Sequence, residues 1–217
     1  MARKLLVISA GVSSPSSTRL LADQLADAVT AGVTARGESV DVDVLELAPL
    51  AASLATTVTT GIAPADVVAA RDLVAAADGV VAVTPVFTAS YSGLFKMFFD
   101  VLDPDSLTGV PMVVAATAGT PRHSLVLDHA VRPLMNYLRA DVVPTAVFAA
   151  TEDFATVELG ARIRRAAGEL AQRLVSTDGV AGFGGPTDLD SPRRSGGSTD
   201  LGTVTPFAEL LKGHTGG

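Results

Sequence analysis

Five apolar runs of strand length, at 4–10, 40–47, 79–84, 110–117 and 142–149, alternate along this chain with stretches of helical periodicity. That alternation constrains the fold more than any other feature, because strands separated by helices return in parallel through right-handed crossovers. The run at 79–84 is continuous and largely β-branched, as expected of a central strand covered on both faces, whereas 40–47 alternates Val and Asp like a strand with one face near an edge. Helices are expected at about 18–36, where Leu20, Leu21, Leu25, Ala28 and Val29 mark an amphipathic stripe ended by Gly37, and at about 64–77, 92–102, 122–140 and 154–176. Residues 48–63 are rich in Ala and Thr without a clear period. The expected fold class is α/β: a doubly wound, five-stranded parallel sheet with helices on both faces. Spacing alone does not give the strand order.

Composition agrees with a sheet buried on both sides, since 48% of the residues are hydrophobic and 18% charged, with a mean hydropathy of +0.41. At 217 residues the chain suits one domain with a tail. We expect a domain over 1–177 and a Gly-, Pro- and Ser-rich arm over 178–217, with a short helical turn from Pro206 to Leu211 that either docks on the domain or on a partner subunit or is a frayed terminal turn. No apolar run is long enough to span a bilayer, and the start of the chain lacks a long apolar core followed by a cleavage site, so a cytoplasmic protein with no membrane partner is expected. There is no cysteine, which excludes disulfides, thiolate catalysis and thiol-held metals. A net charge of −7 argues against a nucleic-acid partner.

In an open parallel sheet, ligands bind beyond the carboxyl ends of the strands, near the reversal of strand order. Three loops leave such ends. The first, 9–18, is dense in hydroxyls just before a helix whose N-terminal amides favour an anion, so it suits a phosphate monoester. Ser9, Ser17 and Thr18 are the leading donors, with Ser16 and Arg19 behind them; ordinary N-capping by Ser16 or Ser17 is the alternative. In the second loop, 84–93, Pro85 is expected to end the strand. Phe87 offers a ring, and backbone amides from Val86 onward can meet a flat heterocycle. Ser90, Tyr91 and Ser92 cap or open the next helix, and a merely long loop before a capped helix is the alternative. The third loop runs from Thr117 through Ala118, Gly119 and Thr120 to His123. Gly119 permits close backbone approach to a ring edge, while Arg122 and His123 are candidates to contact that ring's edge or a second nucleotide. A lone histidine is more often structural.

Other classes lack their signatures. There is no G-x-G-x-x-G, no G-x-x-x-x-G-K-[ST] and no G-x-S-x-G, and His123, His129 and His214 have no recognisable Ser and Asp partners.

The segments Ser16-Ser-Thr-Arg-Leu20, Thr84-Pro-Val-Phe-Thr-Ala-Ser-Tyr-Ser-Gly-Leu-Phe-Lys96, Ala116-Thr-Ala-Gly-Thr-Pro-Arg-His123 and Leu127-Asp-His-Ala-Val-Arg-Pro-Leu134 resemble the NADPH-dependent FMN reductase family over residues 3–175. The likeness is to the reductase components of two-component monooxygenases and to an actinobacterial branch. The resemblance implies a flavodoxin-like 2-1-3-4-5 strand order, FMN phosphate on the Ser17/Thr18 loop, and the flavin ring held by 85–87 and 117–120. It also implies hydride transfer from NADPH or NADH to flavin N5, a homodimer or homotetramer, and a flavin-dependent monooxygenase as a partner. The first loop departs from the family, reading Ser9-Ala-Gly-Val12 where many relatives carry Gly-Ser-Pro-Arg. Two same-fold alternatives are an FMN-retaining reductase of quinones, azo dyes or chromate, and a flavodoxin-like electron carrier. Against the carrier, the chain has no Trp, only Tyr91 and Tyr137, and no Thr-Gly-Asn-Thr loop.

Overall fold

The computed structural model describes residues 2–175. The expected arm over 178–217, its terminal turn and His214 lie outside the described residues. Strands β1 (Arg3–Ser9), β2 (Val40–Glu46), β3 (Gly79–Phe87) and β5 (Pro111–Ala118) pair in parallel in the order β2-β1-β3-β5. The fifth position is shared by two short strands, β6 (Asp141–Val142) and β7 (Val147–Ala150), which both pair with β5. The sheet thus follows the 2-1-3-4-5 path with its last strand split.

Helices cover both faces because successive strand residues point to opposite sides. Val81, Val83, Val113 and Ala115 meet α1 (Ser17–Thr34) and α6 (Val157–Leu174) in one buried layer. Val80, Ala82, Met112 and Val114 meet α2 (Ala51–Thr60), α3 (Ala65–Ala76), α4 (Gly93–Asp100) and the segment ending in α5 (Arg132–Tyr137) in the other. Helices α1 and α6 pack closely where Gly32 faces Ala171; a Cβ at Gly32 would lie 3.0 Å from that methyl.

The structure corrects four sequence expectations. Residues 48–63, which show no period, hold a 3-10 turn at Ala48–Leu50 and α2. This helix buries only Leu54 and Thr57, too few to write a stripe, and the hydroxyls of Thr56, Thr57 and Thr60 are satisfied by carbonyls four residues back. Pro85 does not end its strand. The Val83 carbonyl accepts from Ala10 N–H at 3.0 Å, so Pro85, two residues on, faces the side where β1 has already ended, and its missing N–H costs nothing there. The helix expected over 122–140 is a 3-10 turn at Pro121–His123, a π-turn at Leu127–Val131 and then α5; Pro133 has no N–H to continue an α ladder through it.

The fourth correction is the split last strand. Pro144 removes a ladder donor in the middle of 142–149, and side chains take over the backbone groups that lose partners. Arg132 donates to the carbonyls of Val143 and Pro144, both at 3.1 Å, while Glu169 accepts from the Thr145 N–H at 2.8 Å and its hydroxyl at 2.7 Å. Partial burial alone would raise the Glu169 pKa, but the Thr145 hydroxyl and N–H, followed by Arg165, pull it below the ordinary value. Glu169→Gln should therefore destabilise the fold by about 1–2 kcal/mol at neutral pH, measured by urea unfolding. Because the folded-state pKa is depressed, the contribution is full above the ordinary value of 4.5 and is lost as pH falls through the folded value. The gap between wild type and variant should close over that acidic interval.

Candidate functional site

The pairing of β1, β3 and β5 brings the three loops to one rim. Ser9 lies beside Val83 and Pro85 beside Thr117 in the strand register, so the three strand ends stand side by side.

The first loop passes over the start of α1. Ser16 is the N-cap, its Oγ accepting from the Arg19 N–H at 3.2 Å. Gly11 is required by close approach, since a Cβ there would lie 2.2 Å from Ser16 Oγ and 3.2 Å from Thr18 Cβ. Ser17 opens α1 and is exposed, whereas Ser9 and Thr18 are buried. Arg19 does not reach over the loop. Its guanidinium holds Asp23 at 2.7 Å and Glu46, at the end of β2, at 3.1 Å. The hydrogen bond to Asp23 and then that to Glu46 keep it more firmly protonated than usual, against the opposing effect of its partial burial.

The second loop is a hairpin. Val86 and Phe87 pair antiparallel with β4 (Ser90–Tyr91) through a two-residue turn in which Thr88 and Ala89 have φ of 48° and 67°. Turns of this type favour Asn and Gly, so two residues with Cβ atoms in left-handed backbone mean that the surroundings impose the conformation. The surroundings are identifiable. Thr84 Oγ1 donates to the Pro85 carbonyl at 2.9 Å and accepts from the Ser92 N–H at 3.0 Å, closing the hairpin's base in a fully buried position. Ser92 caps α4 by accepting from Phe95 N–H at 3.2 Å, and the Tyr91 ring lies 5.9 Å from that of Phe95. The hairpin leaves the Phe87 side chain 48% exposed on the rim.

In the third loop, Thr117 and Ala118 end β5, Ala118 pairing with Ala150. Gly119 is exposed, Thr120 caps the 3-10 turn, and His123 sits partly buried at the end of that turn. Thr117 Oγ1 lies 2.8 Å from Thr18 Oγ1, both residues being buried. This hydrogen bond joins the first loop to the third.

All the residues nominated from sequence lie on or beside this rim, but they divide their labour. Ser17, Val86, Phe87, Ala118, Gly119 and Thr120 are partly or fully exposed, Ser16 serves α1 as a cap, and Arg19 is committed to two carboxylates. Gly11 and Thr84 do structural work that the nomination did not assign, whereas Ser92 caps α4 as expected. A hydroxyl at the end of an otherwise aliphatic strand was the available signal for Thr84.

Comparison with known proteins follows the same residues. The sequence model described as NADPH-dependent FMN reductase matches residues 3–155. An FMN reductase (NADPH) of Pseudomonas aeruginosa is 38% identical over 171 residues, 76% of this chain and 88% of that protein. Among solved structures, an oxidoreductase from Corynebacterium diphtheriae superposes with a TM-score of 0.79 at 56% identity, covering 81% of this chain and 98% of the other. The apo form of the NADH:FMN oxidoreductase EmoB gives 0.70 at 27% identity, covering 82% and 92%.

Thr84→Val keeps the strand's shape but strands the buried Ser92 N–H without an acceptor, and should destabilise the protein by about 1–3 kcal/mol. Urea unfolding gives the magnitude, and faster amide exchange at Ser92 than at the middle of α4 would locate it.

Proposed function

The chain belongs to the NADPH-dependent FMN reductase family, and from that premise we propose that it oxidises a nicotinamide nucleotide to reduce FMN at the rim formed by the three loops. The observation that carries this reading is the convergence of a hydroxyl-rich helix start, a rigid hairpin and a glycine-containing loop at one end of the sheet.

The residues present fit FMN by their donor chemistry. Ser17 and the first amides of α1 offer donors and the positive end of an 18-residue helix to a phosphate. Ser9 and Thr18 line the same loop, which Ser16 joins to α1 as its N-cap, while Arg19 is tied to Asp23 and Glu46. Backbone amides around Val86 and Phe87, with Ser90 beside them, and those of 117–120 suit the polar edge of a flavin ring. His123, at the end of the 3-10 turn, is assigned to the nicotinamide nucleotide or to the pyrimidine side of the flavin. When bound, FMN supplies the ring that accepts hydride at N5; hydride transfer needs no protein acid or base, so this chain's residues bind, orient and exclude water. Thr84 and Ser92 keep the hairpin in place while ligands exchange.

The reading includes a cytoplasmic homodimer or homotetramer that passes reduced flavin to a monooxygenase, with residues 1–177 as the catalytic domain and 178–217 as an arm. Among the described residues no helix is long and apolar enough to cross a membrane. NADPH and NADH both stand as donors, since relatives named for each resemble this chain.

Initial rates of NADPH and NADH oxidation with and without added FMN test the reading. Saturable dependence on FMN is expected, and equal rates without it would favour an enzyme that retains its flavin. Ser17→Ala should weaken FMN binding roughly tenfold, the loss expected for one hydrogen bond to a charged group, while leaving the turnover number at saturating FMN close to wild type.

A further inference from the structure

The Thr18–Thr117 contact carries one proton more than the protein uses. Each hydroxyl has one proton and two lone pairs. The 2.8 Å bond between them consumes one proton, and among the described residues the other has no acceptor. The two residues are 2% and 3% exposed, so that proton is not simply handed to bulk water, and a buried O–H seeks a partner.

Two directions are open to the pair, and they exclude each other. If Thr117 donates to Thr18, the spare proton belongs to Thr18 and points from the second residue of α1. If Thr18 donates to Thr117, it belongs to Thr117 at the end of β5. The field decides between them, because an anion is stabilised at the start of α1. There a hydroxyl that itself accepts a hydrogen bond is a stronger donor than an isolated one.

Building on the FMN reading above, we propose that Thr117 is a positioning residue for phosphate recognition: it donates to Thr18 Oγ1, so that Thr18 donates to a phosphate oxygen at the start of α1. Thr117 then contributes to discrimination between the phosphorylated flavin and its unphosphorylated counterpart, although it sits 99 residues away along the chain. The strand register makes the arrangement possible. Thr117 shares its sheet face with Val113 and Ala115, the face that packs on α1.

The test compares FMN with riboflavin, which presents the same ring without the phosphate, by fluorescence titration of the full-length protein. Thr117→Val should weaken FMN about tenfold and leave riboflavin within about twofold, while Thr117→Ser restores FMN binding. Thr18→Val should lose the same discrimination, and the double variant should be no worse than Thr18→Val alone, because the two hydroxyls act as one donor. Thr117→Ala provides a second removal variant if valine impairs folding. Equal weakening of both flavins by Thr117→Val would overturn the proposal in favour of a general structural role. Greater weakening of riboflavin than of FMN, or no change in either, would remove the pair from phosphate recognition. Failure of the wild type to bind either flavin would instead strike the FMN reading itself.

Discussion

The parallel register of β1, β3 and β5 is the constraint from which the candidate site follows. Ser9 against Val83 and Pro85 against Thr117 set how far each strand runs before it releases a loop. In a sheet covered on both faces this register is strongly specified, because a slip of one residue turns every side chain to the other layer. Such a slip in β5 would carry Thr117 away from α1 and break its bond to Thr18, and it would drive Val113 into the layer that holds Phe95 and Phe99. The many small aliphatic residues of the core therefore secure more than stability. They fix which hydroxyls meet above the sheet of this flavodoxin-like fold.

Much of that framework is legible in the sequence because buried parallel strands and amphipathic helices write themselves as apolar runs and stripes. What escaped was decided by particular partners. The hairpin at Thr88 and Ala89 has neither Gly nor Asn to announce it; Thr84, Ser92 and the short pairing with β4 impose it from outside the turn. Helix α2 is held by Leu54 and Thr57 alone on its buried face, so periodicity is silent there. Pro144 was visible, and its lack of a donor was reason enough to split the last strand, but the rescue by Arg132 and Glu169 rests on tertiary contacts that no local pattern encodes.

The site was legible to the same depth. Hydroxyl density before α1 singled out this loop as a candidate, yet residue type could not say which hydroxyl caps, which is buried and which faces outward. Ser16, Ser17 and Thr18 are consecutive and chemically alike, and the helix's geometry gives each a different direction: the cap turns back to Arg19 N–H, the next is exposed, and the third turns inward to Thr117. Arg19 shows the converse limit. A guanidinium in a phosphate-loop sequence invites assignment to the anion, but Asp23 one turn along and Glu46 at the end of β2 claim it.

That claim on Arg19 bears on how an acidic protein can favour an anionic nucleotide. With a net charge of −7 the surface as a whole does not draw phosphate in. On the proposed reading, with Arg19 neutralised by two carboxylates, attraction of phosphate to the α1 start falls to backbone amides, the helix dipole and aligned hydroxyls. Each of these is weaker than a bidentate guanidinium clamp and acts only at short range. Recognition built this way depends on fit rather than on long-range charge, and a ligand held by several modest bonds leaves more readily than one held by an ion pair in a closed pocket. On that proposed reading, in which flavin arrives oxidised and departs reduced, a rim of shaped backbone and paired hydroxyls serves binding and release together.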